Sequence, residues 1–148
     1  MREDLSLQAF LPYRCTNVAE RISMSLSRIY VQEFGVSIPE WRTLATLAEY
    51  GELQAKQVGE RTNMDKVRVS RAVTALLERK LLLRRPCRED NRASLLSLSA
   101  RGRRLYQRIV PQALAWEQSL LQPLSAGERR ALFSLLDKLD GRLLQMGE

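Results

Sequence analysis

Apolar residues recur along most of the chain at intervals of three and four, the spacing that stacks them on one face of a helix. Val18, Ile22, Leu26, Ile29 and Phe34 form a first stripe and predict a helix over residues 6–34, interrupted or kinked by Pro12 and closed by Gly35. Ser37-Ile38-Pro39-Glu40 sets a capping serine three residues before a glutamate, with proline in the first turn. It opens a second helix carrying Trp41, Leu44, Leu47 and Ala48 and ending at Gly51. A short helix over 54–61 follows. Thr62 or Asn63 is placed to cap the next helix, over 64–80, whose inward stripe is Val69, Ala72, Val73, Leu76 and Leu77.

The period then changes. Leu82-Leu83-Arg84-Arg85 and Ser94-Leu95-Leu96-Ser97-Leu98 are short strand-like runs around a polar tip, Pro86 to Arg92, and predict a β-hairpin. Ser99 caps a long helix over 100–122, with Leu105, Ile109, Leu114 and Leu121 inward and a bend at Pro111. Ser125-Ala126-Gly127-Glu128 repeats the capping pattern and starts a last helix striped by Leu132, Leu135, Leu136, Leu139 and Leu143. A core of roughly 65 residues cannot cover both flanking helical regions, and a second copy of the chain would.

Three helices followed by a hairpin make a winged helix-turn-helix. The expected fold is mainly α with a small β-hairpin wing, dimeric through its N- and C-terminal helices. It is read as a single domain over 1–148, with a DNA-binding lobe at 36–99 and dimerisation regions at 1–35 and 100–148. Opposite the buried stripe of the 64–80 helix stand Met64, Val67, Arg68, Arg71, Thr74 and Glu78. Arginines beside Val67 and Thr74 suit guanine edges and thymine methyls in a major groove. Lys66 and Ser70, at the edges of that face, suit phosphates. The hairpin adds Arg84, Arg88 and Arg92, with Asp90 near enough to Arg92 to aim it into a minor groove. The plainer alternative is an amphipathic helix and a hairpin whose charges are merely solvated.

Charge sharpens this picture. The 148 residues hold 24 Lys+Arg, 20 of them arginine, against 17 Asp+Glu, a net +7. Residues 61–108 carry fourteen basic and four acidic groups, a local +10, which leaves −3 for the rest. A basic segment between acidic ones points to a polyanion such as double-stranded DNA. The absence of histidine excludes imidazole catalysis and His-bearing zinc sites, and two cysteines make neither a four-ligand metal site nor a disulfide framework. With no Gly-rich phosphate loop and no nucleophile–base pair, no enzyme and no cofactor is expected. The acidic N-terminus and short apolar runs predict no signal peptide, no membrane span and a cytoplasmic location.

These residues resemble the MarR family of bacterial winged-helix transcription regulators. Asp65-Lys66-Val67-Arg68-Val69-Ser70-Arg71 is similar to that family's D-K-x-x-V-S-R reading helix. Asp90-Asn91-Arg92, followed by Leu96-Ser97-Leu98-Ser99-Ala100-Arg101-Gly102, is similar to its wing motif, D-x-R then L-x-L-[ST]-x-x-G. Leu124-Ser125-Ala126-Gly127-Glu128 resembles the start of its C-terminal dimerisation helix, and the likeness spans residues 10–144. It implies a homodimer on palindromic operators, acting as a repressor released by small phenolic or aromatic anions or by thiol oxidation. It also implies that Arg68 and Arg71 contact the groove and that Asp90 and Arg92 form the wing pair. One departure stands out. The family carries glycine after L-E-x-K, where this chain has Leu81, so either Leu81 adopts a positive φ at a cost of about 1 kcal/mol, if the helix ends in the same way, or the helix extends or frays.

Tyr13, Arg14, Trp41 and Tyr106 are the candidate walls and cation of an effector pocket for an aromatic acid, with core packing as the plainer reading of each. Cys15, beside Tyr13 and Arg14, is the candidate redox thiol, against a structural, partly buried cysteine. Cys87 is expected to be exposed and incidental. A thiol-based sensor of the same fold and a sequence-neutral architectural DNA binder are the alternatives to an effector-released regulator.

Overall fold

The computed structural model describes residues 4–89 and 92–147. A 3-10 turn, Leu7–Ala9, precedes α1 (Leu11–Phe34), α2 (Ile38–Tyr50), α3 (Ala55–Thr62), α4 (Lys66–Glu78), β1 (Leu82–Pro86), β2 (Ser94–Leu98), α5 (Ala100–Leu121) and α6 (Ala126–Met146). The mainly helical chain with one antiparallel hairpin is the winged-helix architecture the periodicity predicts. Two compact units divide it, Met1–Ala113 and Leu114–Glu148.

In the first unit, Pro12 does not kink α1. It occupies the first turn, where its missing N–H has no partner to lose, so the helix starts beside it. Gly35 closes α1 in the left-handed region at φ 62°. The Ser37–Glu40 capping box forms with both hydrogen bonds, at 3.2 and 3.3 Å. Neither Thr62 nor Asn63 caps α4. Asn63 ends α3 in the left-handed region at φ 54°, and Asp65 is the cap, accepting from the Arg68 N–H at 2.8 Å. Met64 therefore lies before the helix and is buried, not on its outer face. It precedes the cap as Val69 follows at the fourth helical position, the spacing of a hydrophobic staple.

α4 ends at Glu78, two residues earlier than expected, and Leu81 does not take a positive φ. Lys80 does, at 60°. The Lys80 N–H bonds the Leu77 carbonyl at 3.0 Å and the Leu81 N–H bonds the Leu76 carbonyl at 2.9 Å. This Schellman pattern lets Leu81 and Leu76 both be buried, so the strain falls on the exposed lysine.

β1 and β2 pair from Leu82–Leu98 to Pro86–Ser94. A third segment joins at one position, where Leu53 and Leu96 exchange two backbone hydrogen bonds of 3.1 and 2.8 Å. The core gathers Tyr30, Phe34, Leu44, Leu47, Val58, Val69, Leu76, Leu96 and Ile109 with their neighbours. Cys87 is buried, against expectation, and the Gln54 amide donates to its Sγ at 3.8 Å. Cys15 is exposed rather than partly buried. Ser99 caps α5 through the Gly102 N–H at 3.0 Å.

In the second unit, Leu114 is exposed, not inward, and the leucine stripe of α6 is exposed from Leu132 to Leu143. The Ser125–Glu128 capping box forms, at 2.9 and 3.1 Å. The Ser125 backbone N–H and then its hydroxyl hold the Glu128 carboxyl below the usual carboxylate range. The Arg129 guanidinium caps the end of α5, with Nη2 donating to the Leu121 carbonyl at 2.9 Å and Nη1 to Gln118 at 3.0 Å. No helix among the described residues is long and apolar enough to cross a membrane.

Candidate nucleic-acid interface

α4 is two-faced because its apolar spacing is strict. Val69, Ala72, Val73 and Leu76 are buried, while Lys66, Val67, Arg68, Ser70, Arg71 and Thr74 are exposed. The structure thus brings the six expected reading residues together on one solvent-facing surface. Arg71 makes no hydrogen bond or ion pair among the described residues. Arg68 comes no nearer than 3.9 Å to Asp65, with both side chains about two-thirds exposed, a pair too wet to hold it.

The hairpin adds a second cationic element beside this face. Arg84 shares the strand face of Leu82, because alternate residues point the same way. It lines a groove of about 670 Å³ together with Lys56, Lys66, Ser70 and Thr74. Arg85, on the opposite strand face, is ion-paired with Glu52 at 2.6 Å, and that hydrogen bond raises its already high pKa. Arg88 and Arg92 are exposed near the tip. Asp90 lies outside the described residues, and so does its expected pairing with Arg92.

Not every cation of the +10 segment faces outward for a polyanion. The Arg61 guanidinium sits 3.8 Å over the Tyr50 ring and that of Arg108 sits 5.1 Å from the Phe34 ring centre. Arg79 donates to the Phe34 and Gly35 carbonyls. With Arg85, at least four of the fourteen have internal partners among the described residues. Charge counting could not identify Arg61, Arg79 and Arg108, since rings and carbonyls carry no charge to notice, and the Glu52 partner of Arg85 lies 33 residues away in the chain.

The proposed effector walls do not converge within one chain. Trp41 and Tyr106 stack at 5.8 Å, and Tyr30, which spacing alone did not single out, also stacks on Trp41, at 5.3 Å. Tyr30 follows Leu26 and precedes Phe34 at helical spacing, which was the available signal. Its burial raises the phenol pKa, with Arg42 pulling the other way. Tyr13 and Arg14 lie in the first turn of α1. Tyr13 is 17 residues before Tyr30 on the same helix, roughly 25 Å at 1.5 Å per residue. A second groove, of about 590 Å³, lies where α1 meets α2. Ser23, Met24, Ile38 and Pro39 form its walls, with Arg42 and Arg68 as its cations and Glu20 as its acid. Arg42 donates to the Ser23 hydroxyl at 3.2 Å.

Residues 34–93 match the MarR family. An HTH-type transcriptional regulator of Bacillus cereus is 23% identical over 79% of this chain and 78% of its own. The crystal structure of a MarR/EmrR family transcriptional regulator from Acinetobacter sp. ADP1 is 27% identical, with a TM-score of 0.85 over 95% of this chain and 99% of that one. BpsR of Bordetella bronchiseptica, whose DNA binding is regulated by 6-hydroxynicotinic acid, is 26% identical with a TM-score of 0.72 over 86% and 98%. The capped reading helix, the hairpin beside it and these likenesses agree: residues 34–93 match the MarR family, and most of the chain is similar in sequence and fold to winged helix-turn-helix transcriptional regulators of that family.

Proposed function

We propose that this regulator is a cytoplasmic repressor that binds a palindromic operator as a homodimer and is released by a small aromatic acid. The observation that carries the DNA part is the exposed face of α4, where Arg71 has no partner among the described residues and stands beside Arg68, Val67 and Thr74. Arginine's fork matches the O6 and N7 atoms of guanine, and each such pair contributes about 1–3 kcal/mol of base discrimination. Lys66, Ser70, Arg84, Arg88 and Arg92 take the phosphate and minor-groove contacts, and Asp90 aims Arg92. Residues 36–99 form the DNA-binding lobe, and 1–35 with 100–148 the dimerisation region.

The exposed stripe of α6 supports the homodimer. Five leucines at helical spacing on one face are what a second copy of the same helix would cover. Burying one leucine contributes about 2 kcal/mol, so a self-complementary stripe offsets the cost of association. The Arg42–Arg68 groove is the best-supported place for the effector in this chain. Two guanidiniums suit a carboxylate, Met24, Ile38 and Pro39 suit a small ring, and Arg68 belongs also to the reading face. Tyr13 and Arg14 are not among the residues that line this groove. The exposed Cys15 favours one other reading, release by thiol oxidation.

Enrichment of duplexes from a random-sequence pool tests the proposal. A palindrome is expected, and its complex is expected to dissociate with aromatic carboxylates at micromolar to millimolar concentration. Release by peroxide alone, abolished in Cys15→Ser, favours the thiol reading. Enrichment of no sequence contradicts both and leaves the architectural binder.

A further inference from the structure

We propose that Arg79 is a positioning residue for DNA reading, tying the C-terminal end of α4 to the C-terminal end of α1 so that the reading helix is held by α1. Arg79 directly follows α4. Its Nη1 donates to the Gly35 carbonyl at 3.0 Å and its Nη2 to the Phe34 carbonyl at 3.1 Å. Those carbonyls belong to the end of α1, where the helix has no further donors of its own and the macrodipole is negative. A planar fork reaches both acceptors at once, which a point-like ammonium does not do in the same geometry. The acceptors are backbone atoms fixed in place. Gly35 is left-handed, and the Val36 N–H is bonded to the Tyr30 carbonyl at 3.1 Å.

The next two residues fasten the same end of α4 to α5. The Ser99 hydroxyl donates to the Lys80 carbonyl at 2.7 Å, and the Ser99 N–H to the Leu81 carbonyl at 3.0 Å. Gly102 packs so closely that a Cβ there would collide with the Leu81 carbonyl. Residues 79–81 are therefore a joint between α1, α4 and α5. The opposite end of α4 has the local Asp65 cap. A helix of 13 residues is roughly 20 Å long, so a tilt of about 5° at the joint moves the far end by roughly 2 Å, enough to break a hydrogen bond to a base.

The proposal rests on the sequence-specific DNA-binding reading, and two measurements keep the two separable. In the free protein, amide exchange is compared for wild type and Arg79→Met. Exchange several-fold faster both at Gly35–Val36 and along the last turn of α4 is expected; faster exchange at the end of α1 alone overturns the joint, whatever the DNA does. On DNA, binding to the enriched duplex and to a scrambled one is titrated at several salt concentrations. Arg79→Met is expected to weaken the specific complex about tenfold, leaving scrambled binding and the salt slope as in wild type. Arg79→Lys, the milder variant should Arg79→Met not fold, is expected to lose about threefold in the same selective way. Equal loss on both duplexes with a slope smaller by about one, restored by lysine, makes Arg79 a phosphate contact and overturns the proposal. Unchanged binding by both variants overturns it as well.

Discussion

α4 and α6 are built on the same pattern, an amphipathic helix opened by a capping side chain, and they use it in opposite ways. The apolar stripe of α4 is buried within its own chain, so its polar face is the one left to act. The stripe of α6 has no buried residue, so there the apolar face is the one left to act. A hydrophobic stripe predicts a helix and a face. Only the packing of the surrounding elements says whether that face is already covered.

Equivalent changes in the two stripes are expected to have different consequences. Leu76→Ala in α4 is expected to lower the unfolding free energy by about 3 kcal/mol, read from chemical denaturation, because it leaves a cavity where Leu76 is fully enclosed. Leu136→Glu with Leu139→Glu in α6 is expected to leave the helical signal intact and weaken dimerisation at least a thousandfold, read by sedimentation at the 17.0 kDa monomer mass. If Leu76→Ala is silent and the α6 pair unfolds the chain, the roles of the two faces are the reverse of those assigned.

The polar face of α4 is the next target. Arg71→Ala is expected to cost about 1–3 kcal/mol on the enriched operator and to relax base preference at one position of each half-site, with the melting temperature unchanged. Equal loss on every sequence would demote it to a phosphate contact. A smaller contrast lies within the wing. Arg84→Ala is expected to reduce the salt slope by about one, whereas Arg85→Ala is expected to leave the slope alone, since its guanidinium is engaged by Glu52.

The smallest effect concerns acid. The Glu128 carboxyl has a depressed pKa in the fold, so its capping contribution is present above the ordinary carboxylate pKa and is lost as pH falls through the folded value. Helical signal from α6 in the wild type is expected to decline slightly in that acid range, and Glu128→Gln is expected to remove the pH dependence.

What the sequence made legible follows from how local each signal is. Ser37–Glu40 and Ser125–Glu128 are contained in four residues each, and both capping boxes form as read. The cap of α4 is not legible from residue type, because Thr62, Asn63 and Asp65 are all capping types, and a left-handed Asn63 shifts the start by two residues. For the same reason Met64 reads as an outer-face residue and lies in the core. The strain expected at Leu81 moved to Lys80, because the closing hydrogen bonds favour burying the leucine over relieving the lysine. The Leu53–Leu96 bridge is a single residue pair and leaves no period to detect. The outward basic face of α4 was readable from spacing alone. The internal partners of Arg79 were not, because they are backbone carbonyls more than forty residues away in the chain.

The central claim is that the cationic face of α4 and the wing beside it read sequence and do not only bind polyanion. It is tested most directly by the ratio of affinities for the enriched duplex and a scrambled duplex of the same composition, measured across salt concentrations. A ratio on the order of a thousand or more, persisting as both affinities fall with salt, is the predicted result. A ratio near one at every salt concentration would contradict it.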